Sequence, residues 1–125
     1  MILVDVEVKE SPIHGKGLFS KSKIVKGSKL WEFAPPDFRI PLKSASEKDL
    51  HFGYINPDNP DFVVVCADHS KYWNFGLDGS NCGPSQKKHL GEYVIVALED
   101  IKAGAELLIS VNSDRDASRK LMSVH

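Results

Sequence analysis

Two glycines one residue apart, in the stretch His14-Gly15-Lys16-Gly17, are the first residues whose types and spacing suggest chemistry. Closely spaced glycines let a ligand or a neighbouring strand approach the backbone. The stretch is not a dinucleotide-binding fingerprint, because Ser20 stands where a third glycine would be and the strand-like LFSKS follows in place of a helix. A bend within a β segment and a ligand-binding loop are therefore both open as interpretations.

Strands are the elements that would position this loop. Apolar runs rich in β-branched and aromatic residues, bounded by Gly, Pro, Asn or Asp, cover residues 3–8, 29–33, 62–66, 92–98 and 106–110. Nine Gly and seven Pro interrupt the chain too often for long helices. The pattern predicts a compact, mainly β domain and argues against a doubly wound parallel sheet, which would need alternating helices.

Shorter segments complete this prediction. Residues 44–52 and 114–122 resemble helical turns, each with a Ser or Asp as its cap. The polar run at 86–89 is expected to be a solvated turn before the next strand. Four aromatic side chains are expected in the core, namely Trp31, Phe33, Phe38 and Phe62.

One internal similarity predicts local backbone geometry. The segments 24–30 and 101–107 share the pattern Ile-x-x-Gly-x-x-Leu, and each leads into a strand. Gly27 and Gly104 are therefore expected to have positive φ in two similar tight turns. A single recurrence does not make a repeat protein.

Composition limits the class of protein. The chain has 125 residues, 42% of them hydrophobic, and a net charge of −1, which gives no general attraction to nucleic acid or to an acidic membrane. The N-terminus becomes charged at Asp5, too early for a signal peptide, so we expect one intracellular, cytoplasmic domain over residues 1–125. Cys66 and Cys82 are expected to be free thiols, and no metal site is expected because the histidines lack metal-ligand spacing.

Three ordered segments resemble the SET domain family of S-adenosylmethionine-dependent protein lysine methyltransferases. They are SPIHGKGLFSKSKIVKGSKLWEF, DHSKYWNFGLDGSNC and YVIVALEDIKAGAELLISVNSD. The resemblance covers residues 5–114 and leaves a short tail at 115–125. It implies a β-clip-like SET fold of several small sheets with a C-terminal pseudoknot.

The resemblance also implies a binding site for S-adenosylmethionine. The glycine loop would lie along the methionine and ribose part of the cofactor, and an asparagine would hold its amino acid end. The residues that match these positions, together with their neighbours, are His14, Gly15, Lys16, Gly17, Asn74 and Phe75.

The middle segment admits two alignments to the family pattern. In the favoured one, Asn74 takes the place of the family's asparagine, with Phe75 where histidine is usual. In the other, Cys82 aligns with the family's cysteine, which puts Gly79 and Ser80 at the Asn-His pair. The histidine is missing in both alignments.

The family's catalytic tyrosine is also replaced. ELLISVNSD matches the family's E-L-x-x-x-Y-G, so Val111 stands at the tyrosine position. Tyr54, Tyr72 and Tyr93 are the candidates to supply a hydroxyl from elsewhere. The substrate implied by the resemblance is a lysine side chain of a protein or peptide, facing the insert at 37–62.

Three functions are consistent with this sequence. The first is an active protein lysine methyltransferase. The second is a module that binds the cofactor or a peptide with weak or absent transfer. The third is a scaffold that acts through a partner or a homo-oligomeric interface.

Overall fold

The computed structural model describes residues 1–56, 58–76 and 79–110, together with the backbone of a short strand at 122–123. The described part is dominated by strands, which confirms the mainly β prediction. The strands are β1 (Val6–Glu10), β2 (Lys16–Ser20), β3 (Lys29–Trp31), β4 (Phe38–Pro41), β5 (Gly53–Ile55), β6 (Phe62–Val65), β7 (Asn74–Gly76), β8 (Cys82–His89), β9 (Glu92–Ala97), β10 (Leu108–Ser110) and β11 (Met122–Ser123).

The helical content is small. Among the described residues, one α-helix, α1, covers Glu47–Phe52, and two 3₁₀ turns cover Leu42–Ser44 and His69–Tyr72. Within the described residues, no helix is long and apolar enough to cross a membrane.

The strands form three separate sheets. β1 and β2 make an antiparallel pair, a second sheet has the order β3-β9-β8-β10-β7, and a third has the order β11-β5-β6-β4. β10 lies between β7 and β8 and is parallel to both, with Leu108 opposite Asn74 and Ile109 opposite Cys82. A late segment is thus inserted between two strands that are consecutive in the chain, as the expected pseudoknot requires.

The core lies where β2, β3, β9 and the segment before β10 meet. Leu18, Leu30 and Leu107 have no exposed surface, and burial of such side chains contributes about 1.5–3 kcal/mol each. Trp31 is buried as predicted, and so is Phe33.

The expectation of burial is wrong for one of the four aromatic residues. Phe38 is 44% exposed; it is the first residue of β4, which lies at the edge of its sheet and, in the described residues, pairs with β6 alone. Phe62, at the other end of that pairing, is half-buried.

The two similar segments pair with each other. Ile24 N donates to Ile101 O at 2.9 Å, and Ile101 N donates to Ile24 O at 2.8 Å. Gly27 and Gly104 have φ of 88° and 86°, which confirms the predicted turn geometry.

The helical turn expected at 44–52 is confirmed as α1. Ser46 caps it, because Asp49 N donates to Ser46 Oγ at 3.1 Å and Ser46 N donates to Asp49 Oδ2 at 3.0 Å. The helix ends before Gly53, where a Cβ would lie 2.6 Å from Val63 Cγ1. The segment 114–122 lies outside the described residues apart from Met122, which belongs to strand β11.

The expectation of a turn at 86–89 is wrong. These residues end strand β8, where Lys88 pairs with Tyr93 and His89 pairs with Glu92 of β9. Residues 86–88 are exposed, so the strand has no apolar alternation and its composition resembles that of a turn. The turn follows at Leu90 and Gly91, with φ of 51° and 90°.

Candidate active site

The glycine stretch forms the connection between β1 and β2. Ser11 N donates to Gly15 O at 2.8 Å, which closes the turn, and Ile13 N donates to Ser11 Oγ at 3.0 Å. Gly15 has φ of 50°, a left-handed conformation that costs other residues roughly 1–2 kcal/mol. Gly15 therefore belongs to the bend, whereas Gly17 already lies in strand β2.

Asn74 connects this loop to β7 across some sixty residues of sequence. Its Nδ2 lies 3.0 Å from His14 O, 3.1 Å from Lys16 O and 3.0 Å from Glu106 Oε2. The favoured alignment therefore brings its asparagine to the glycine loop, as a shared ligand site would need. For Gly79 of the rival alignment, no atom of the described residues lies within 4 Å of a Cβ placed there.

Glycine is required at positions 15 and 17 for different structural reasons. A Cβ at Gly15 would meet no atom of the described residues within 4 Å, so the space beside Gly15 is open in that part of the chain. A Cβ at Gly17 would lie 2.2 Å from Glu106 Oε2 and 3.1 Å from Asn74 Nδ2. We expected both glycines to make room for a cofactor, but the requirement for glycine at position 17 comes from the Glu106 side chain.

A cavity with both polar and apolar walls, here called the glycine-loop cleft, opens beside this loop. Its lining includes the cations Lys16 and Lys71 and, among the described residues, no carboxylate, so an anionic group would be favoured there. The lining residues are His14, Gly15, Lys16, His51, Phe52, Lys71, Tyr72, Trp73 and Asn74.

Lys71 has an unusual environment within the cleft. Its Nζ lies 5.7 Å from the centroid of the Phe52 ring and 5.3 Å from that of Tyr72, which is within the range of cation–π attraction. No carboxylate in the described residues forms an ion pair with it. Its positive charge is therefore not neutralised by a neighbour in that part of the chain.

A second cavity, here called the aromatic pocket, adjoins the cleft. Five of its lining side chains are aromatic rings other than histidine, and the Trp31 and Tyr54 rings meet edge to face with centroids 6.1 Å apart. The lining residues are Trp31, His51, Phe52, Gly53, Tyr54, Cys66, Ser70, Lys71, Trp73, Phe75, Ile95 and Ile109. An apolar chain would pack well against these rings, and the rings would keep water away from a chemical group at the end of that chain.

The candidate residues are divided between the two cavities. His14, Gly15, Lys16 and Asn74 line the glycine-loop cleft, whereas Phe75 lines the aromatic pocket. Successive strand residues point to opposite faces, which accounts for the separation of Phe75 from Asn74 within β7. Val111 lies outside the described residues.

The three candidate tyrosines have different surroundings. The hydroxyl of Tyr54, in the aromatic pocket, donates to Glu92 at 3.1 Å, and burial together with the nearby carboxylate raises the pKa of Tyr54 well above its usual value. The hydroxyl of Tyr93 donates to Asp58, and Tyr93 lines neither cavity. Tyr72 lines the cleft, and its hydroxyl has no hydrogen-bond partner in the described residues.

Both thiols are free, as expected. Burial raises the pKa of Cys66, in the wall of the aromatic pocket, to about 12, and that of Cys82 to about 12. A neutral thiol is a poor nucleophile, so Cys66 contributes an apolar surface to the pocket.

Four site residues were not singled out from the sequence. The first is Glu106, which accepts a hydrogen bond from Asn74. Phe52 and Lys71 line both cavities and so lie at their boundary. The fourth is Ser11, whose Oγ donates to Glu106 at 2.8 Å. The signal for Glu106 was a carboxylate directly before an apolar strand. Its importance depends on a neighbour 32 residues away, which no local pattern contains.

Comparison with known proteins identifies the family of the chain. The family model of the SET domain matches residues 15–111, so the chain belongs to the SET domain family. No curated protein matches it.

Solved structures share the fold. A Plasmodium falciparum protein described as a histone methyltransferase superposes with a TM-score of 0.67 at 18% identity, covering 90% of this chain and 97% of the other. A humanised Chaetomium thermophilum Polycomb Repressive Complex 2 with a bound inhibitor gives a TM-score of 0.66 at 26% identity over 86% of this chain. The same fungal complex bound to S-adenosylmethionine gives 0.61 at 24% identity over 84%. This chain spans only 15% of those fungal chains.

Proposed function

We propose that this SET domain is a protein lysine methyltransferase that binds S-adenosylmethionine in the glycine-loop cleft and a substrate lysine in the aromatic pocket. The observation that carries the proposal is that the two cavities share four lining residues, His51, Phe52, Lys71 and Trp73. Ligands in the two cavities would therefore meet at a common boundary. Membership of the SET domain family supports this class of reaction.

The cleft residues fit the chemical groups of the cofactor. Asn74 Oδ1 can accept a hydrogen bond from its α-ammonium group, and Lys16 and Lys71 suit its carboxylate. The open space beside Gly15 allows the ligand to approach the backbone. When bound, S-adenosylmethionine supplies an electrophilic methyl group attached to a sulfonium.

The aromatic pocket fits the other reactant. Its rings would pack along the four methylene groups of a lysine side chain and keep water away from the amine. An amine must be neutral to act as a nucleophile. The ammonium of Lys71 at the boundary disfavours a second positive charge close by, and so favours the neutral form of the substrate lysine.

Orientation of the amine needs a hydroxyl, and we assign this role to Tyr72. Val111 offers none at the family's tyrosine position, Tyr54 is bonded to Glu92, and Tyr93 is bonded to Asp58. A positioned hydroxyl at a reacting centre commonly contributes roughly 10²–10³ in rate.

Calorimetric titration with S-adenosylmethionine and S-adenosylhomocysteine tests the proposal first. Micromolar binding, followed by methylation of an array of lysine-containing peptides, is the expected result. Binding without transfer to any peptide would favour a binding module. Absence of heat and of a thermal shift at millimolar ligand would favour a scaffold and overturn the proposal.

A further inference from the structure

We propose that Glu106 is a positioning residue, whose carboxylate fixes the Asn74 carboxamide so that its oxygen, and not its nitrogen, faces the ligand. The inference deepens the proposed function and rests on it, because the ligand concerned is the cofactor. It assigns recognition of the ligand's ammonium group to two side chains acting together.

The first step concerns the orientation of the Asn74 carboxamide. Its Nδ2 is surrounded by three acceptors within 3.1 Å, two of them carbonyl oxygens and the third the Glu106 carboxylate. A rotated carboxamide would direct Oδ1 at the same three oxygens and would gain no hydrogen bond from them. Of the three acceptors, Glu106 carries the full negative charge, so it contributes the strongest preference for Nδ2.

The second step concerns Oδ1, the other polar atom of the Asn74 carboxamide. Asn74 Oδ1 has no hydrogen-bond partner in the described residues. The buried side-chain N and O atoms that lack a partner there are Nε1 of Trp31 and Nε1 of Trp73. Asn74 is 8% exposed and lines the glycine-loop cleft, and we infer that Oδ1 is the atom it presents to that cleft. An acceptor in that position selects a donor such as an ammonium group.

The third step connects the same carboxylate to the loop. Ser11 Oγ donates to both oxygens of Glu106, at 2.9 and 2.8 Å, while it accepts from Ile13 N at 3.0 Å. Glu106 thus joins the start of the glycine loop to the wall that carries Asn74. The missing Cβ of Gly17 makes room for this carboxylate.

Ligand discrimination is the measurement that tests the assignment. Calorimetry would compare S-adenosylhomocysteine with its desamino analogue, in which hydrogen replaces the α-ammonium group. The protein should prefer S-adenosylhomocysteine at least about tenfold, since a hydrogen bond to a charged group is worth that much or more. Glu106→Ala should reduce the preference to about threefold or less.

Two variants serve as controls. Glu106→Gln keeps one oxygen that can accept from Asn74 Nδ2, while its new amide nitrogen would donate to Ser11 Oγ where a carboxylate oxygen now accepts from it, so it should retain the preference. Ser11→Ala removes a hydrogen bond of the same carboxylate without touching Asn74, so it should weaken both ligands alike and leave the ratio unchanged. Glu106→Ala with an unchanged ratio would overturn the assignment while leaving the proposed function intact.

A readout without ligand separates the two proposals further. The side-chain amide protons of Asn74 should exchange slowly in the protein and in Glu106→Gln, and faster in Glu106→Ala, by nitrogen-15 NMR. Unchanged exchange in Glu106→Ala would also overturn the inference. Failure of the unaltered protein to bind S-adenosylhomocysteine would instead remove the proposed function, and with it the ligand to which this inference refers.

Discussion

The backbone of Gly17 lies against the side chain of Glu106, so that a Cβ at position 17 would stand 2.2 Å from Oε2. Gly17→Ala must therefore displace the carboxylate from Asn74, and we expect it to lower the free energy of unfolding by about 1–3 kcal/mol. Glu106→Ala removes the obstructing atoms, so the methyl group should cost much less in that background. A double-mutant cycle by urea unfolding measures this coupling. Strictly additive losses would contradict the stated reason for glycine.

A substitution at Gly15 can distinguish the effect of a Cβ on the backbone bend from its effect on ligand binding. The methyl group of Gly15→Ala meets no atom within 4 Å in the part of the chain that the structure describes, so its cost should come from the positive φ alone, about 1–2 kcal/mol. Gly104→Ala is the matched control, because Gly104 has φ of 86° with equally open space and lies outside the cleft lining. Both variants should lose similar stability, but Gly15→Ala alone should weaken S-adenosylhomocysteine binding. Equal affinities in calorimetry would remove Gly15 from the ligand site.

These two glycines show how far the sequence could be interpreted. The G-x-G pattern indicated a close approach to the backbone, and Asn74 was recognised as its partner. The approach at Gly17 is made by Glu106, whose position depends on the pairing of Phe19 with Glu106. Such pairing joins residues far apart in sequence, and no local pattern encodes it.

Part of the fold could also be predicted from the sequence, and part could not. Strands with apolar runs, such as those at 62–66 and 92–98, were found because one or both faces are buried. β8 was missed at 86–89 because its side chains are exposed there, and hydrogen bonds to β9 hold it in place. The shared pattern at Gly27 and Gly104 succeeded because positive φ is a local property that glycine alone adopts readily.

The hydroxyl of Tyr72 provides a kinetic test of the active site. Tyr72→Phe should lower kcat by about tenfold or more, because the ring that contacts Lys71 is kept and only the hydroxyl is lost. Tyr93→Phe is the control: Tyr93 lies outside both cavities and its hydroxyl donates to Asp58. It should cost about 1 kcal/mol of stability and leave kcat unchanged. Unaltered turnover in Tyr72→Phe would show that another group orients the amine.

A buried carboxylate holds the third sheet against the second. Glu92 is 1% exposed and accepts hydrogen bonds from Arg39 Nε at 2.8 Å, Tyr54 Oη at 3.1 Å and Asn56 Nδ2 at 3.1 Å. Glu92→Leu would leave Arg39 without its ion-pair partner and would remove the acceptor of Tyr54 and Asn56, and we expect a loss of about 3–5 kcal/mol.

The double variant Glu92→Leu/Arg39→Met is the matched comparison. It removes both charges of the pair, so it should be more stable than Glu92→Leu alone. Thermal unfolding would measure both proteins. A double variant less stable than the single one would mean that the Arg39 contacts with the Phe33 ring and Leu90 O outweigh the ion pair.

Alkaline pH should destabilise the fold through Cys82. Burial raises the pKa of this fully buried thiol from 9.0 to about 12. Above pH 9 the unfolded chain therefore loses this proton while the folded chain keeps it, so stability is complete below pH 9 and falls as the pH rises towards 12. One such group changes the free energy of unfolding by about 1.4 kcal/mol per pH unit in this range. Urea unfolding at several alkaline pH values would measure the slope, and Cys82→Ala should reduce it by that amount. An identical slope in Cys82→Ala would mean that the thiol ionises as readily in the folded protein as in the unfolded chain.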